Sequence, residues 1–376
     1  MSWNITGAGA IASVGRGVDE LFTNLCLGRT GLHPLRGFDP APYRAKSAYE
    51  IDNRPAPGVD APHRATDILV AAIREAAADA GVDDLTDVPI LVGTGLRELR
   101  SLELWWRDGV PFSADDLHFG TALREQLGAE VTYTFSNACA ASLYALAMGT
   151  DLLALDAADT IVVAGVDVLT ESMHGLLERV HAVPPDRVRP FDRNRTGVLM
   201  GDGAAAIVVQ RDTAGKAPRG LLRAVSANCD AYHVTAPDPQ GIATAMRAAH
   251  ELAGVKPEDI DLVMLHGTGT LLNDEVEATA MGEVYGEHVG GPLMTAIKSM
   301  TGHTSGASGL MGLVMGLESL RCGVVPPTVG LTDPVDEAAR FRFVRGEAES
   351  AELAVAQLNA FGFGGINAVA IVEAVQ

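Results

Sequence analysis

The chain has 376 residues, 47% of them hydrophobic and 20% charged, and a formal net charge of −20. That length provides for about two domains' worth of buried core, and so acidic a protein is a poor fit to nucleic acid or an anionic membrane. Four scattered cysteines (Cys26, Cys139, Cys229, Cys322) form neither a disulfide scaffold nor a local zinc site, the N-terminus lacks a signal-peptide pattern, and no run of about 18 apolar residues could span a bilayer, so a soluble cytoplasmic protein is expected.

Taken in chain order, the first strong element is an Ala-rich amphipathic helix over 67–82 (DILVAAIREAAADAGV). An acidic loop and a buried strand ending in Gly-Thr-Gly follow (VPILVGTG, 88–95). Past Trp105 and Trp106, the strand pattern EVTYTFS leads into ACAASLYALAMG, 138–149. A helix apolar on nearly every face is a buried one, and its small residues allow close packing. TIVVAGVDVL and AAAIVVQ read as strands of buried sheets in an α/β layered protein.

The order then repeats. TAMRAAHELAGV (244–255) and IDLVMLHGTG (260–269) mirror the first helix and strand, with Ala-Gly-Val at 80–82 and 253–255 and Gly-Thr-Gly at 93–95 and 267–269. SGASGLMGLVMG (305–316) mirrors 138–149, including Leu143/Leu310, Leu146/Leu313 and the closing Met-Gly. Two landmarks in the same order indicate duplication, with two halves, 1–215 and 216–376, and a site expected where they meet.

Chemistry-bearing residues fall at the ends of these elements. Cys139 lies at the start of the buried helix, where the helix dipole favours an anion. On that ground its thiol is expected to drop from about 8.5 toward about 7. His266 ends an apolar strand, the usual ligand-binding position in α/β sheets, with Thr268 and Thr270 on the same rim. Gly-Thr-Gly-Thr lacks the lysine and spacing of a phosphate loop. His303 precedes the second buried helix. Lys298, one of four lysines (Lys46, Lys216, Lys256, Lys298), sits between apolar segments; a buried lysine calls for an acidic partner, and Glu277 is the expected one. LNAFGFGGINAVAIVEAV reads as strand, Gly-rich turn, strand, able to aim a backbone N–H into a site as an oxyanion donor. Cys139, His266 and His303 could be zinc ligands by type. The nearby lysine and the want of a fourth carboxylate ligand favour nucleophilic catalysis instead.

These residues carry a resemblance that runs nearly end to end, through NACAAS, RPFDRNRTGVLMGDGAA, DAYHVTAPDP, LHGTGTLLNDEVEA, KSMTGHTSGASG, GVVPPTVGL and NAFGFGGINA. The chain resembles the β-ketoacyl-acyl carrier protein synthases of the elongating Cys-His-His type in the thiolase superfamily. The resemblance implies an α/β fold, the thiolase-like five-layered α-β-α-β-α arrangement of two pseudo-duplicated halves. It also implies an acyltransferase in which Cys139 holds an acyl thioester and condenses it with malonyl-carrier. His266 and His303 then assist decarboxylation, and Lys298 and Glu277 form a supporting ion pair. Cys139 and Phe363 match the oxyanion-hole N–H groups, and Phe363 also matches the gating aromatic. Thr268, Thr270 and Gly364 match substrate-binding positions. No metal or cofactor is implied beyond the phosphopantetheine arm of an acyl carrier protein partner, and a homodimer or a heterodimer with a chain-length-factor-like subunit is expected.

Asn367 and the lack of a late cysteine set the chain apart from starter-type synthases and thiolases. Where the family motif reads Arg-Asp-Gly-Phe, this chain has Arg195-Thr196-Gly197-Val198, so Val198 implies a reshaped acyl pocket. The segment carrying Trp105 and Trp106 is also short. Both departures point to a specialised acyl substrate of polyketide type. The alternatives are a non-elongating acyltransferase or thioesterase and a non-catalytic pairing subunit. Carrier docking on so acidic a chain requires a local arginine patch, for which Arg64, Arg187, Arg189 and Arg195 are the expected members.

Overall fold

The apolar runs identified above form strands wherever β-branched and small residues alternate with turn signals, and helices wherever the spacing is three to four. In the computed structural model, which describes residues 2–54, 56, 58–213, 215 and 217–375, the first half supplies β1 (Trp3–Ala12), helix α1 (Arg64–Ala80) and β2 (Ile90–Thr94). Helix α2 (Leu99–Asp108), β3 (Thr132–Ser136), α3 (Ala141–Ala154), β4 (Thr160–Asp167), α4 (Glu171–Val180) and β5 (Gly203–Gln210) also belong to it. The rest of the chain supplies β6 (Gly220–Cys229), α5 (Pro239–Ala253), β7 (Leu262–Met264), α6 (Leu271–Tyr285) and β8 (Leu293–Thr295). Helix α7 (Ser308–Cys322), β9 (Arg342–Phe343), β10 (Val355–Gly362) and β11 (Ile366–Glu373) follow. Lys216 lies outside the described residues.

The strand order is β9-β8-β7-β10-β11-β6-β1-β5-β4-β2-β3. Within it, β3-β2-β4-β5-β1 has the same order and direction as β8-β7-β10-β11-β6. The second strand of each set (β2 or β7) is parallel to both neighbours, and the last three strands run antiparallel to one another. A parallel pair needs a crossover: α2 lies between β2 and β3 and α6 between β7 and β8, while the small-residue helices α3 and α7 lie between β3 and β4 and between β8 and β10. The two sets are joined by only three residue pairs, Trp3–Ile5 of β1 against Gly220–Leu222 of β6.

Packing produces five layers. One apolar cluster holds α3 and α7 between the inner faces of the two sheets, with Leu143, Leu146, Leu310 and Leu313 fully buried alongside Ile5, Val163 and Leu358. Helix α1 covers the outer face of the first sheet, and α5 and α6 cover that of the second. Small residues set how closely the layers approach. A Cβ at Gly93 would lie 2.3 Å from the backbone nitrogen of Ser142, so α3 rests directly on β2. The parallel strands of both halves thus end at the same seam between the layers.

Because the atom opposing Gly93 is backbone, it cannot rotate away. Gly93→Ala is expected to destabilise the protein by about 1–3 kcal/mol, read as a lower urea midpoint at unchanged slope; an unaltered midpoint would mean the two elements slide apart freely.

Candidate active site

The seam collects residues from both halves. Ala138–Ala140 forms a single 3-10 turn after β3 and leads into α3, so Cys139 precedes the α-helix instead of opening it. Ala138 has φ +59°, an unusual value for a residue with a side chain, and the strained turn presents Cys139 to the seam.

His303 faces it from the other half. Its Nε2 lies 3.1 Å from Cys139 Sγ, while its Nδ1 accepts the backbone N–H of Ser305 at 3.1 Å and lies 2.9 Å from the Ser308 hydroxyl. An amide nitrogen can only donate here, so Nδ1 carries no proton and the neutral ring holds its proton on Nε2. His266 is arranged the same way. Lys298 Nζ sits 3.3 Å from its Nδ1 and also donates to its carbonyl oxygen, leaving Nε2 as the protonated nitrogen. The two rings stand nearly perpendicular with centroids 5.5 Å apart, and Phe361 packs edge-on against His266. Burial first, and the Lys298 charge second, hold both imidazoles well below their usual range, so both stay neutral at neutral pH. The seam therefore offers two uncharged N–H donors beside one sulfur.

The sulfur itself corrects the expectation of an acidified thiol. Burial pushes Cys139 up to about 11; the Lys298 charge and the backbone N–H groups of Phe363 and Cys139 pull the other way without overcoming it. A single turn of 3-10 helix concentrates less positive potential than a full α-helix start, and desolvating an anion costs more than that potential returns.

Lys298 and Glu277 are both buried, yet they make no direct ion pair, which corrects the expected contact. The Glu277 carboxylate is occupied by the N–H groups of His266 (2.7 Å) and Gly267 (2.8 Å) and by Asn359 Nδ2 (3.0 Å). Lys298 reaches the carbonyl of that same His266 instead. The charges couple through the peptide between them, while burial shifts Glu277 up and Lys298 down.

Thr268 and Thr270 place their hydroxyls 2.9 Å apart at the start of α6, where Thr270 caps the helix through Asn273 N–H. Asp274, missed in the sequence, accepts the N–H groups of Thr268, Gly269 and Phe191. Its signal was available: Asp274 and Glu277 are one turn apart in LNDEVEA and so share a helix face. Gly362–Gly365 makes the tight link between β10 and β11, with φ of +87° at Gly364 and +74° at Gly365. Phe363 projects from that link with half its surface exposed, beside Val234, whose carbonyl accepts the Gly364 N–H. Val198 is buried with Phe38, Leu96, Leu169 and Met200. It borders a small cavity that His174 and His181 also line, directly behind the Leu199–Gly201 segment that bonds the His303 backbone.

Two members of the expected arginine patch are not on the surface. Arg64 is buried against Asp202 at 2.7 Å, and Arg195 is buried against the Thr270 and Leu271 carbonyls and Glu275. Arg64 pairs with a buried carboxylate that would otherwise be costly, and Arg195, whose Nε lies 3.8 Å from the buried Asp274 carboxylate, does the same at the start of α6. Arg187 and Arg189 retain some exposure, and both face Asp186. Among the described residues, no cluster of three or more His, Cys, Asp and Glu could hold a metal ion, and no helix is long and apolar enough to cross a membrane.

Comparison with known proteins adds an independent line. Residues 4–214 match the family model described as "Beta-ketoacyl synthase, N-terminal domain", and residues 219–332 match "Beta-ketoacyl synthase, C-terminal domain". The chain is 28% identical to a "3-oxoacyl-[acyl-carrier-protein] synthase 2" of Coxiella burnetii, over 99% of this chain and 98% of that protein. It is 29% identical to the "Tetracenomycin polyketide synthase ketoacyl synthase alpha subunit" of Streptomyces glaucescens, over 98% and 96%. Among solved structures it is similar to "The ishigamide ketosynthase/chain length factor", with 31% identity, a TM-score of 0.89, and coverage of 100% of this chain and 99% of that one. It shares its fold with a type II ketosynthase solved with its acyl-carrier protein, at 21% identity and TM-score 0.88, over 100% and 99%.

A thiol held near 11 ionises progressively as pH rises toward that value. Alkylation of Cys139 by iodoacetamide, followed by peptide mass spectrometry, should therefore accelerate about tenfold per pH unit between pH 7 and 10. A plateau near pH 7 would restore the acidified thiol.

Proposed function

The chain belongs to the β-ketoacyl synthase family, and from that premise we propose that it catalyses decarboxylative condensation of an acyl group held on Cys139 with malonyl-acyl carrier protein. The observation that carries this reading is the pair of neutral imidazoles, His266 and His303, with centroids 5.5 Å apart and each with Nδ1 committed as an acceptor, His303 Nε2 lying 3.1 Å from Cys139 Sγ. Two such donors suit a developing enolate oxygen better than a proton abstraction.

In the first half-reaction the Cys139 sulfur attacks the thioester carbonyl of an acyl carrier. The backbone N–H groups of Cys139 and Phe363 hold the oxyanion, the carbonyl–sulfur bond to the carrier breaks, and the departing thiolate takes up the proton that Cys139 loses. The exchange needs no resident base, which suits a thiol whose resting form is neutral. In the second, the bond from the malonyl α-carbon to its carboxylate breaks. Carbon dioxide leaves, and the electron pair forms an enolate whose oxygen takes the Nε2–H groups of His266 and His303. The enolate carbon attacks the acyl-Cys139 carbonyl, whose oxyanion uses the same two amides. The carbon–sulfur bond to Cys139 breaks, releasing a 3-oxoacyl carrier two carbons longer, and one proton from solvent returns Cys139 to its thiol. Lys298, with Glu277, holds His266 in its donating tautomer. Thr268, Thr270 and Gly364 contact the phosphopantetheine arm, which is the only prosthetic group the reaction calls for.

Several features support the remaining parts of the reading. The relatives named above include fatty-acid and polyketide synthases, and Val198, with the cavity behind it, suits a specialised acyl substrate. The two family models divide near the proposed boundary between halves, 1–215 and 216–376. Edge strand β3 pairs on one side only and exposes Tyr133, Thr134 and Ser136, which suits a dimer, with a second copy or a chain-length-factor-like subunit extending the sheet. The free cysteines suit the cytoplasm. Arg187 and Arg189 are the remaining candidates for carrier docking.

The deciding assay is single turnover with labelled malonyl-carrier and acylated protein: carbon dioxide release with a 3-oxoacyl product is expected, whereas acyl transfer without release would assign a non-elongating acyltransferase or thioesterase. His303→Ala should lower decarboxylation by on the order of a hundredfold and Cys139 acylation far less; an equal loss in both steps would remove the enolate role. Tyr133→Glu should convert a dimer to monomer by light scattering, and an unchanged mass would place the dimer interface elsewhere.

A further inference from the structure

The mechanism leaves unused a fully buried carboxylate at the end of β4, and its surroundings connect it to His303. Asp167 has no exposed surface and accepts four hydrogen bonds from two different halves of the molecule. Its Oδ1 accepts from the Thr94 hydroxyl (2.7 Å) and Leu96 N–H (2.8 Å), and its Oδ2 accepts from Gly95 N–H (2.7 Å) and Gly306 N–H (2.7 Å). Three of these donors come from the last residue of β2 and the turn after it, and the fourth from the turn that follows His303.

That second turn is strained. Ser305 sits at φ +47°, a conformation that costs a residue with a side chain of order 1 kcal/mol or more and that persists only when its surroundings hold it. In this conformation the Ser305 N–H points at His303 Nδ1, 3.1 Å away. The turn is also wedged sterically against the first half: a Cβ at Gly306 would lie 2.5 Å from Thr94 Cα, and one at Gly95 would lie 2.4 Å from Ser305 Oγ. The nearest anchor that could offset the strain is the bond from Gly306 N–H, one residue further on, to Asp167.

We propose that Asp167 is a positioning residue for His303: by gripping Gly306 N–H together with the Thr94–Leu96 turn, it holds Ser305 in its left-handed conformation. Ser305 N–H in turn keeps the His303 proton on Nε2, the nitrogen that faces Cys139. The clamp makes the donating tautomer depend on the meeting of the two halves, because the carboxylate and three of its donors belong to the first half while the imidazole belongs to the second. The inference rests on the ketosynthase reading for its consequence in catalysis, although the tautomer itself can be read without any substrate.

A negative charge in this position also opposes ionisation of Cys139, since Asp167 is one of the charges that raise its thiol. The two effects give Asp167→Asn an unusual signature. The amide keeps the carboxylate's shape but must turn its NH2 toward at least one N–H donor, loosening the clamp, while the loss of charge favours the Cys139 anion. A merely structural role would slow every step together.

The test uses the full-length protein with 15N-labelled histidine; the His303 ring signals, among ten histidines, are assigned by their loss in His303→Gln. In the wild type the ring is expected as the neutral Nε2–H tautomer, and in Asp167→Asn as a mixture with Nδ1–H. Malonyl-carrier decarboxylation should fall by about tenfold or more, while Cys139 alkylation at pH 8 stays equal or becomes faster. Ser305→Gly in the Asp167→Asn background should restore most of the decarboxylation, because glycine adopts φ +47° without strain. If Asp167→Asn does not fold, Thr94→Val removes one donor from the same carboxylate and should cut decarboxylation a few-fold with alkylation unimpaired. An unchanged His303 tautomer in the variant that folds, or parallel loss of decarboxylation and alkylation, would overturn the proposal. Absence of decarboxylation by the wild type, with its tautomer as expected, would instead overturn the ketosynthase reading and leave the clamp standing.

Discussion

Hydrogen-bond donors on the two Nδ1 atoms govern what the seam can do. An imidazole free to choose its tautomer would present a lone pair to Cys139 as readily as a proton. A main-chain amide on one ring and a lysine on the other remove that choice and leave the proton on Nε2 of both, with that of His303 facing the sulfur. Burial then removes the other freedom, protonation, by making the imidazolium costly. A pair of neutral donors in a dry site stabilises an oxyanion without any reorganisation of solvent. The same desolvation explains why Cys139 rests as a thiol: one environment cannot favour neutral imidazoles and a free thiolate at once.

Buried carboxylates hold this arrangement together. Asp167, Asp202, Asp274 and Glu277 are fully buried, and each accepts backbone N–H groups from segments that frame the site: 95–96 and 306 for Asp167, Ile51 and Leu169 for Asp202, 268–269 and Phe191 for Asp274, 266–267 for Glu277. A carboxylate with several amide donors fixes loops that have no regular ladder of their own, and such charge-assisted bonds are about twice as strong as neutral ones. Part of the chain's acidic excess is therefore internal scaffolding. The arginines follow the same logic: Arg64 and Arg195 neutralise this scaffold from within, so they are withdrawn from any surface that meets an acidic carrier.

Much of this was legible in the sequence. The repeated helix and Gly-Thr-Gly strand, and the recurrence of the 138–149 pattern at 305–316, correspond to the repeated strand order of the two halves, because period and apolarity report burial directly. Cys139, His266, Lys298 and His303 stood out because each is a polar residue at the end of an apolar run, and such positions in α/β sheets open toward a shared crevice. Asp167 ended an apolar run too, in VVAGVD, but a lone carboxylate in that place carries no sign of its partners.

What the sequence by itself determined is the layered fold, the family, and Cys139, His266 and His303 as the candidate site residues. These depend on residue type and on short-range periodicity, which the chain carries within a window of a dozen residues. The tertiary structure decided the protonation of the site: which imidazole nitrogen carries the proton, that the Cys139 thiol rises instead of falling, that Glu277 grips the main chain and leaves Lys298 to His266, and that Arg64 and Arg195 are buried. These depend on desolvation by the closed seam and on contacts between separate elements, such as Lys298 with His266, 32 residues apart, and Arg64 with Asp202, 138 residues apart. Electrostatic energies at a buried site are small differences between such terms, and no local pattern encodes them.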